Sequence, residues 1–123
     1  MDPEDEIGEM ATENKPLVSV IITTKDEEKN IENCLNSISV QTYKNIEIIV
    51  VDNFSNDNTV AIARKYTSKA FLKGPNRAAQ LNYGVKMSRG KYILFPDADM
   101  ILPSDLIEKC VKKCEEENLD ALY

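Results

Sequence analysis

The sequence predicts an α/β fold, a mostly parallel sheet with helices on both faces. Short apolar runs rich in β-branched residues alternate with stretches in which apolar residues recur at helical spacing. Each apolar run is nearly continuous, which is typical of a strand covered on both faces. The repeated order of strand, helix and strand indicates parallel pairing through right-handed crossovers, and there is no internal repeat.

The first two strands and the helix between them carry the clearest pattern. Residues 17–23 (LVSVIIT) and residues 46–51 (IEIIVV) are predicted to be buried strands. Asp26 is suited to cap the intervening helix. That helix is predicted from one apolar stripe at helical spacing, namely Ile31, Leu35 and Ile38.

The next two elements are shorter. Ser55 or Asp57 is suited to cap a second helix that runs to about Tyr66. Residues 70–72 are predicted to form a short third strand. The second helix is predicted to turn three side chains inward, namely Val60, Ala63 and Tyr66.

A third helix and a fourth strand follow the break at Gly74-Pro75. The helix is predicted over residues 78–88, with Gly90 as its C-terminal stop. Residues 92–95 (YILF) are predicted to be the fourth buried strand. The inward face of the third helix is predicted to consist of Ala78, Leu81 and Val85.

The last elements predict an open sheet edge. Ser104 is suited to cap a final helix, and residues 119–123 have the pattern of the first part of a fifth strand. A sheet cut at that strand leaves an apolar edge, so we expect weak self-association. The final helix is predicted to bury Leu106, Cys110, Val111 and Cys114.

Charge distribution restricts the partners. The net charge of the 123 residues is −6, and all of the excess lies before the first base, Lys15. Residues 1–15 are therefore predicted to be a disordered acidic tail and residues 16–123 the domain. A neutral domain without a basic stripe argues against nucleic-acid binding. No segment has the apolar length of a bilayer span or a secretory signal, so we expect a cytoplasmic location, including the cytoplasmic face of a membrane.

Polar side chains follow all four predicted strands. Parallel sheets of this kind bind ligands outside the carboxyl ends of the strands, where the strand order reverses. We therefore expect the four groups to face one crevice. In chain order they are Thr23, Thr24, Lys25, Asp26 and Glu27; Asp52, Asn53 and Ser55; Lys73, Asn76 and Arg77; Asp97 and Asp99.

The pair Asp97 and Asp99 is the sharpest of these signals. Two carboxylates at i and i+2 in an extended loop can approach one hard cation, and oxygen ligands suit Mg²⁺ or Mn²⁺. Such a metal neutralises a diphosphate leaving group. A simple surface turn is the alternative. Asp52 at the end of the second strand can accept a hydrogen bond from a nucleobase, and Arg77 can contact a base or phosphate.

Three blocks resemble, in order and spacing, family 2 glycosyltransferases of the GT-A fold. They are residues 18–31 (VSVIITTKDEEKNI), 50–59 (VVDNFSNDNT) and 77–103 (RAAQLNYGVKMSRGKYILFPDADMILP). The resemblance spans residues 17–123. It implies a Rossmann-like nucleotide-binding half, truncated after the fourth strand and its helix.

The resemblance also implies a ligand and a role for each site residue. The ligand is a nucleotide-sugar donor, a UDP-sugar first of all, held through a divalent metal (Mg²⁺ or Mn²⁺). The parent reaction is inverting sugar transfer to an unknown acceptor. The implied contacts are the base and ribose for Thr23, Thr24 and Glu27, the base for Asp52, the base or diphosphate for Arg77, the ribose and metal for Asp97, and the metal for Asp99.

The chain departs from the family pattern at three places. Lys25 stands where an aromatic residue often stacks on the base, although its aliphatic stem can cover the ring. Asn53 and Phe54 replace Asp-Gly beside Asp52. The family's catalytic base lies in the acceptor half beyond the fourth strand. No catalytic residue is therefore predicted here, and we expect the chain to bind donor without transferring sugar.

Two other functions remain open at the level of sequence. The segment ILFPDADMI also resembles the nucleophile strand of haloacid-dehalogenase-type phosphohydrolases, with Asp97 as nucleophile, although Met100 replaces the usual Thr or Val. A non-catalytic nucleotide-binding or interaction module is the third hypothesis. Titration with UDP and Mn²⁺ separates these hypotheses.

Overall fold

A computed structural model describes residues 15–118 as one parallel sheet with helices. The predicted tail up to residue 14 and the predicted fifth strand lie outside the described residues, so self-association remains a prediction. The strand order is β3-β2-β1-β4. In chain order the elements are β1 (Val18–Thr24), α1 (Ile31–Ser39), β2 (Ile46–Asp52), α2 (Thr59–Ala63), β3 (Ala70–Leu72), α3 (Arg77–Met87), β4 (Tyr92–Leu94) and α4 (Leu106–Glu116).

Helices cover both faces of the sheet, which confirms the predicted fold class. Alternate residues of β1 point to opposite faces. Val20 and Ile22 join a large core built with α1, α2 and α4, whereas Ile21 joins a small core with Ile49 and Val51. The small core is covered by α3. None of the helices between residues 15 and 118 has the length and apolarity needed to cross a bilayer.

The crevice expected at the strand-order reversal lies between β1 and β4. β2 pairs with β1 along its whole length, from Val18 to Thr24. β4 pairs only with residues Val18 to Val20 of β1, because the chain leaves the sheet after Leu94. Phe95, predicted to be the last buried residue of this strand, is instead 46% exposed. The carboxyl half of β1 therefore has an open flank on the β4 side.

The predicted inward face of α3 is wrong. Ala78 and Val85 are exposed, Leu81 is only half-buried, and the residues that α3 buries are Gln80 and Gly84. A Cβ on Gly84 would lie 2.5 Å from Cγ2 of Ile21, so the glycine lets the helix approach the sheet more closely than a side chain allows. This approach, rather than an apolar stripe, determines which face points inward.

Gly90 is not a left-handed helix stop, since no glycine in the described part of the chain has a positive φ. A Cβ on Gly90 would lie 2.6 Å from the backbone nitrogen of Ser19. The residue is needed for close approach to β1. The helix α3 ends earlier, at Met87.

The predicted helix caps are mostly wrong as well. Asp26 has a φ of 52°, and its carboxylate accepts a hydrogen bond from Asn56 N–H at 2.8 Å instead of capping α1. The Ser104 side chain does not cap α4, which begins after Asp105 without a side-chain cap. Asp57 does bond to Thr59 N–H, at 3.0 Å. The helix that begins there ends at Ala63, short of the predicted Tyr66.

Candidate functional site

The floor of the crevice is a buried pair at the ends of two adjacent strands. Thr24 and Asp52 are register partners and are 2% and 1% exposed. Thr24 Oγ1 donates to Asp52 Oδ1 at 2.6 Å, as does Ser55 Oγ at 2.6 Å, and Ser55 N–H donates to Oδ2 at 2.7 Å. Three donors fix the orientation of the carboxylate. Oδ2 receives one of these bonds, which leaves it a lone pair for a ligand N–H.

The loops after β1 and β2 are tied together directly. Asp26 N–H donates to Ser55 Oγ at 2.7 Å, and Glu27 N–H donates to Thr59 Oγ1 at 2.8 Å. In the other direction, Asn58 N–H donates to Glu28 Oε2 at 2.9 Å. These reciprocal bonds hold Lys25 and Glu27 in place although both lie on a loop. Thr23, the predicted neighbour of the base, is half-buried.

The polar residues beside Asp52 connect the floor to the next loop. Asn53 N–H donates to Thr24 O at 2.9 Å, and Asn53 Nδ2 donates to Pro75 O at 2.9 Å in the β3–α3 loop. Lys25 Nζ donates to the carbonyl of Phe54 at 3.0 Å. The three loops after β1, β2 and β3 therefore form one continuous surface.

Asp97 and Asp99 lie on a turn after β4, not on the predicted extended loop. Met100 N–H donates to Asp97 O at 3.0 Å, which closes the turn. Ala98 is buried, whereas the two flanking aspartates are exposed. The turn therefore presents both carboxylates to solvent.

Arg77 meets Asp97 across the crevice. Its Nη2 lies 3.1 Å from Asp97 Oδ1, and both side chains are more than half exposed. Asn76 caps α3 by accepting from Ala79 N–H at 2.9 Å, which positions Arg77 on the first turn of the helix. An exposed ion pair of this kind contributes at most about 1 kcal/mol, so an incoming anion can displace Asp97 from Arg77.

Cys34, which is buried in α1, lies next to the turn after β4. Cys34 Sγ lies 3.6 Å from the carbonyl oxygen of Asp97. Burial, followed by the negative charges of Asp99, Asp97 and Glu27, raises the pKa of the Cys34 thiol to about 11.

The donor set fits a divalent cation that is shared with a ligand. No group of three or more Asp, Glu, His or Cys side chains suited to a metal occurs between residues 15 and 118. Mg²⁺ typically takes one or two carboxylates and completes its shell with water and substrate phosphates. Asp97 and Asp99 match that pattern and do not match a cage built by protein alone.

Two residues of the site were missed by sequence analysis. Gln80 is 4% exposed, and its Nε2 donates to Thr24 O at 3.0 Å and Val51 O at 2.8 Å, so it fixes α3 to the ends of β1 and β2. Cys34, beside the Asp97 carbonyl, is the second. A buried glutamine on a helix gives no periodic signal. Its spacing of three residues from Arg77 is the one feature of the sequence that indicates a position near the site.

Comparison with known proteins agrees with this architecture. The family model described as glycosyl transferase family 2 matches residues 19–123. An uncharacterized glycosyltransferase of Methanocaldococcus jannaschii is 38% identical over an alignment of 127 positions, which covers 95% of this chain and 43% of that protein.

Two solved structures are similar as well. Staphylococcus aureus TarS in complex with UDP-GlcNAc has a TM-score of 0.72 at 30% identity, over 83% of this chain and 32% of that one. The mannosyltransferase PcManGT from Pyrobaculum calidifontis, in complex with GDP-Man and Mn²⁺, has a TM-score of 0.75 at 27% identity, over 84% and 33%. The chain spans less than half the length of each of these relatives.

The family match covers most of the chain, and the fold and the order of the motifs agree with it. The chain belongs to glycosyl transferase family 2.

Proposed function

We propose that this chain is the donor-binding part of a glycosyltransferase and binds a nucleotide sugar, a UDP-sugar in the first instance, through a divalent metal. The observation that carries the proposal is the contact between Arg77 and Asp97, 3.1 Å apart, across the crevice whose floor is Asp52. This contact brings the guanidinium of Arg77 and the turn that carries Asp97 and Asp99 together beside the buried carboxylate of Asp52. A nucleoside diphosphate needs such groups at its base and at its phosphates.

Different residues of the site contact different parts of the donor. Asp52 accepts from the base, with its orientation fixed by Thr24 and Ser55. Thr23 and Glu27 flank the base and ribose from the β1 loop, and Asn53 lines the base from the β2 side. Lys25 contributes through its hydrogen bond to the Phe54 carbonyl in the β2 loop. A divalent cation on Asp97 and Asp99 supplies the charge that stabilises a leaving diphosphate. Arg77 exchanges its exposed contact with Asp97 for a phosphate oxygen. Relatives bound to UDP-GlcNAc and to GDP-Man with Mn²⁺ support this assignment.

The parent reaction we propose is sugar transfer with inversion, on the cytoplasmic side. Inversion needs a base within hydrogen-bond reach of the acceptor hydroxyl. The two acids at the start of α4 are already engaged: Asp105 pairs with Lys109 at 3.0 Å, and Glu108 accepts from Thr42 Oγ1 at 3.1 Å. We therefore expect the chain alone to bind donor and to transfer no sugar. Turnover by the purified chain would contradict this expectation.

Calorimetric titration with UDP in the presence of Mn²⁺ tests donor binding. The wild type is expected to bind saturably, and Asp99→Asn is expected to lose most of the affinity. Asp105→Asn, which removes a carboxylate that precedes α4 and pairs with Lys109, is the matched control and is expected to bind like the wild type. Equal affinities for wild type and Asp99→Asn would overturn the metal assignment. Family membership gives no support to the phosphohydrolase hypothesis, which predicts a phosphoaspartate at Asp97 instead.

A further inference from the structure

Phe54 combines an exposed aromatic ring with an unfavourable backbone. Phe54 is 58% exposed. Its φ is 52°, a region that residues other than glycine seldom adopt. Glycine would fit this backbone without strain. The ring adds little to the core, so neither packing nor backbone geometry explains why a phenylalanine stands here. Strain that the fold maintains without a packing reason points to a functional role.

The position of the ring relates it to the crevice. Phe54 follows Asp52 by two residues, and its carbonyl accepts the hydrogen bond from Lys25 Nζ at 3.0 Å. Its Cδ2 lies 3.8 Å from the point where a Cβ on Gly74 would be. The ring therefore lies beside the β3–α3 loop, in the β2 loop that follows Asp52.

A nucleobase requires both an edge contact and a face contact. Asp52 offers a fixed carboxylate to the edge, and an aromatic ring beside it can supply the face, because every base has a π surface. The ammonium of Lys25 is engaged with the Phe54 carbonyl, so this side chain holds the backbone that carries the ring.

We infer that the ring of Phe54 stacks on the nucleobase of the bound donor, and that Lys25 is a positioning residue that fixes the Phe54 backbone. The inference rests on the proposed function, because it presupposes that a nucleotide occupies this crevice. The aromatic residue that stacks on the base then lies in the β2 loop, at Phe54, and not in the β1 loop, where Lys25 stands.

The test compares Phe54→Ala with Phe95→Ala, a matched control that removes an exposed aromatic ring on the other side of the crevice. The probes are UDP, GDP and inorganic pyrophosphate, each with Mn²⁺. Phe54→Ala is expected to weaken the tighter-binding nucleotide about tenfold and to leave pyrophosphate binding unchanged. Phe95→Ala is expected to change neither. Nucleotide affinity within about twofold of wild type in Phe54→Ala would overturn the inference.

Fluorescence keeps the test decisive if Phe54→Ala folds poorly. The chain contains no tryptophan, so Phe54→Trp introduces a single reporter. The tighter-binding nucleotide is expected to quench it, and pyrophosphate is not. The same titration of Phe95→Trp is expected to give no quenching. An unquenched tryptophan at position 54 in a protein that binds the nucleotide would contradict stacking.

The role of Lys25 requires a double-mutant cycle. Lys25→Met is expected to weaken nucleotide binding in the wild type and to have no effect in the Phe54→Ala background. An equal effect in both backgrounds would show that Lys25 contacts the ligand directly, which contradicts a positioning role. If neither UDP nor GDP binds the wild type saturably, the proposed function fails together with the inference. If both binding and the Asp99→Asn loss are present but Phe54→Ala binds normally, only the inference fails.

Discussion

Apart from the buried Asp52, the carboxylates at the two ends of the sheet differ in whether the fold satisfies them. At the amino ends, the Glu47 side chain is 8% exposed and accepts hydrogen bonds from Ser19 Oγ, Lys69 Nζ and Arg89 N–H. At the carboxyl ends, Asp97 and Asp99 are exposed. Internal donors satisfy the first carboxylate, whereas the turn presents the other two to solvent.

The network at the amino ends ties together the starts of all four strands. Ser19 lies in β1, Glu47 in β2, Lys69 precedes β3 and Arg89 precedes β4. Gly90 N–H also donates to Ser19 Oγ, at 2.8 Å. Burial by itself would raise the pKa of Glu47, but the hydrogen bonds from Lys69, Ser19 and Arg89 outweigh it and lower the pKa. This end of the sheet uses its charge for stability.

The carboxyl ends instead leave apolar side chains in water on both sides of the crevice. Most of the exposed large hydrophobic residues of the described chain end a strand or follow one at this end, namely Phe54, Leu72, Phe95, Met100 and Ile101. Substitutions at the two ends should therefore change different properties. Changes at the amino ends should alter the free energy of unfolding, and changes at the carboxyl ends should alter binding.

The largest effect is expected at Gln80, which, like Asp52, does not follow this rule because it is buried at the carboxyl ends. It lies at the carboxyl ends, yet its amide is buried and bonded to the carbonyls of Thr24 and Val51. Gln80→Ala leaves these bonds unmade and a cavity behind, so we expect a loss of about 3 kcal/mol in the free energy of unfolding, together with weaker nucleotide binding. Urea unfolding measures the first effect. A loss below about 1 kcal/mol would contradict the contact.

Glu47→Ala is expected to have the second largest effect. It leaves Lys69 and Ser19 without their acceptor at the amino ends, which we expect to reduce the free energy of unfolding by about 2 kcal/mol, because Lys69 retains partial access to water. UDP binding by the folded fraction is expected to match the wild type. Weaker binding in the folded protein would show that the two ends of the sheet are coupled.

Acid unfolding tests the same network through its pH dependence. The pKa of Glu47 is lowered in the fold, so its contribution is present above its ordinary value of 4.5 and is lost as the pH falls through the lower, folded value. Glu47→Gln should therefore flatten the dependence of stability on pH in that acidic range. Glu116→Gln, on the exposed end of α4, is the control and should keep the wild-type profile.

The smallest effect on the free energy of unfolding is expected at Phe54, where stability and nucleotide binding should change in opposite directions. Phe54→Gly removes a left-handed backbone penalty, so we expect the free energy of unfolding to rise by up to about 1 kcal/mol while nucleotide binding weakens. Thermal unfolding and calorimetry on the same sample check both directions. A variant that loses stability would show that the ring packs on the protein after all.

Sequence patterns predicted the strands well because β1 and β2 are continuous apolar runs, which only a doubly covered strand explains. They also predicted which loops would meet, since parallel strands bring their carboxyl ends to one edge. The Arg77–Asp97 contact follows from that topology. The roles assigned to the site residues remain predictions.

The errors come from contacts between elements. Asp26 looks like a helix cap in isolation, but its carboxylate bonds to Asn56 in the neighbouring loop. The face of α3 was misassigned because Gly84, a residue without a side chain, determines how closely the helix approaches Ile21. Local periodicity contains no information on either contact.

We propose that the turn carrying Asp97 and Asp99 binds a nucleoside diphosphate through a divalent metal. Calorimetric titration of the chain with UDP, once in Mn²⁺ and once in EDTA, measures this binding, alongside a urea unfolding curve in each buffer. We predict saturable binding in Mn²⁺ that disappears in EDTA, with the same free energy of unfolding in both buffers without nucleotide. Binding of equal affinity in EDTA, or no binding in Mn²⁺, would contradict the claim.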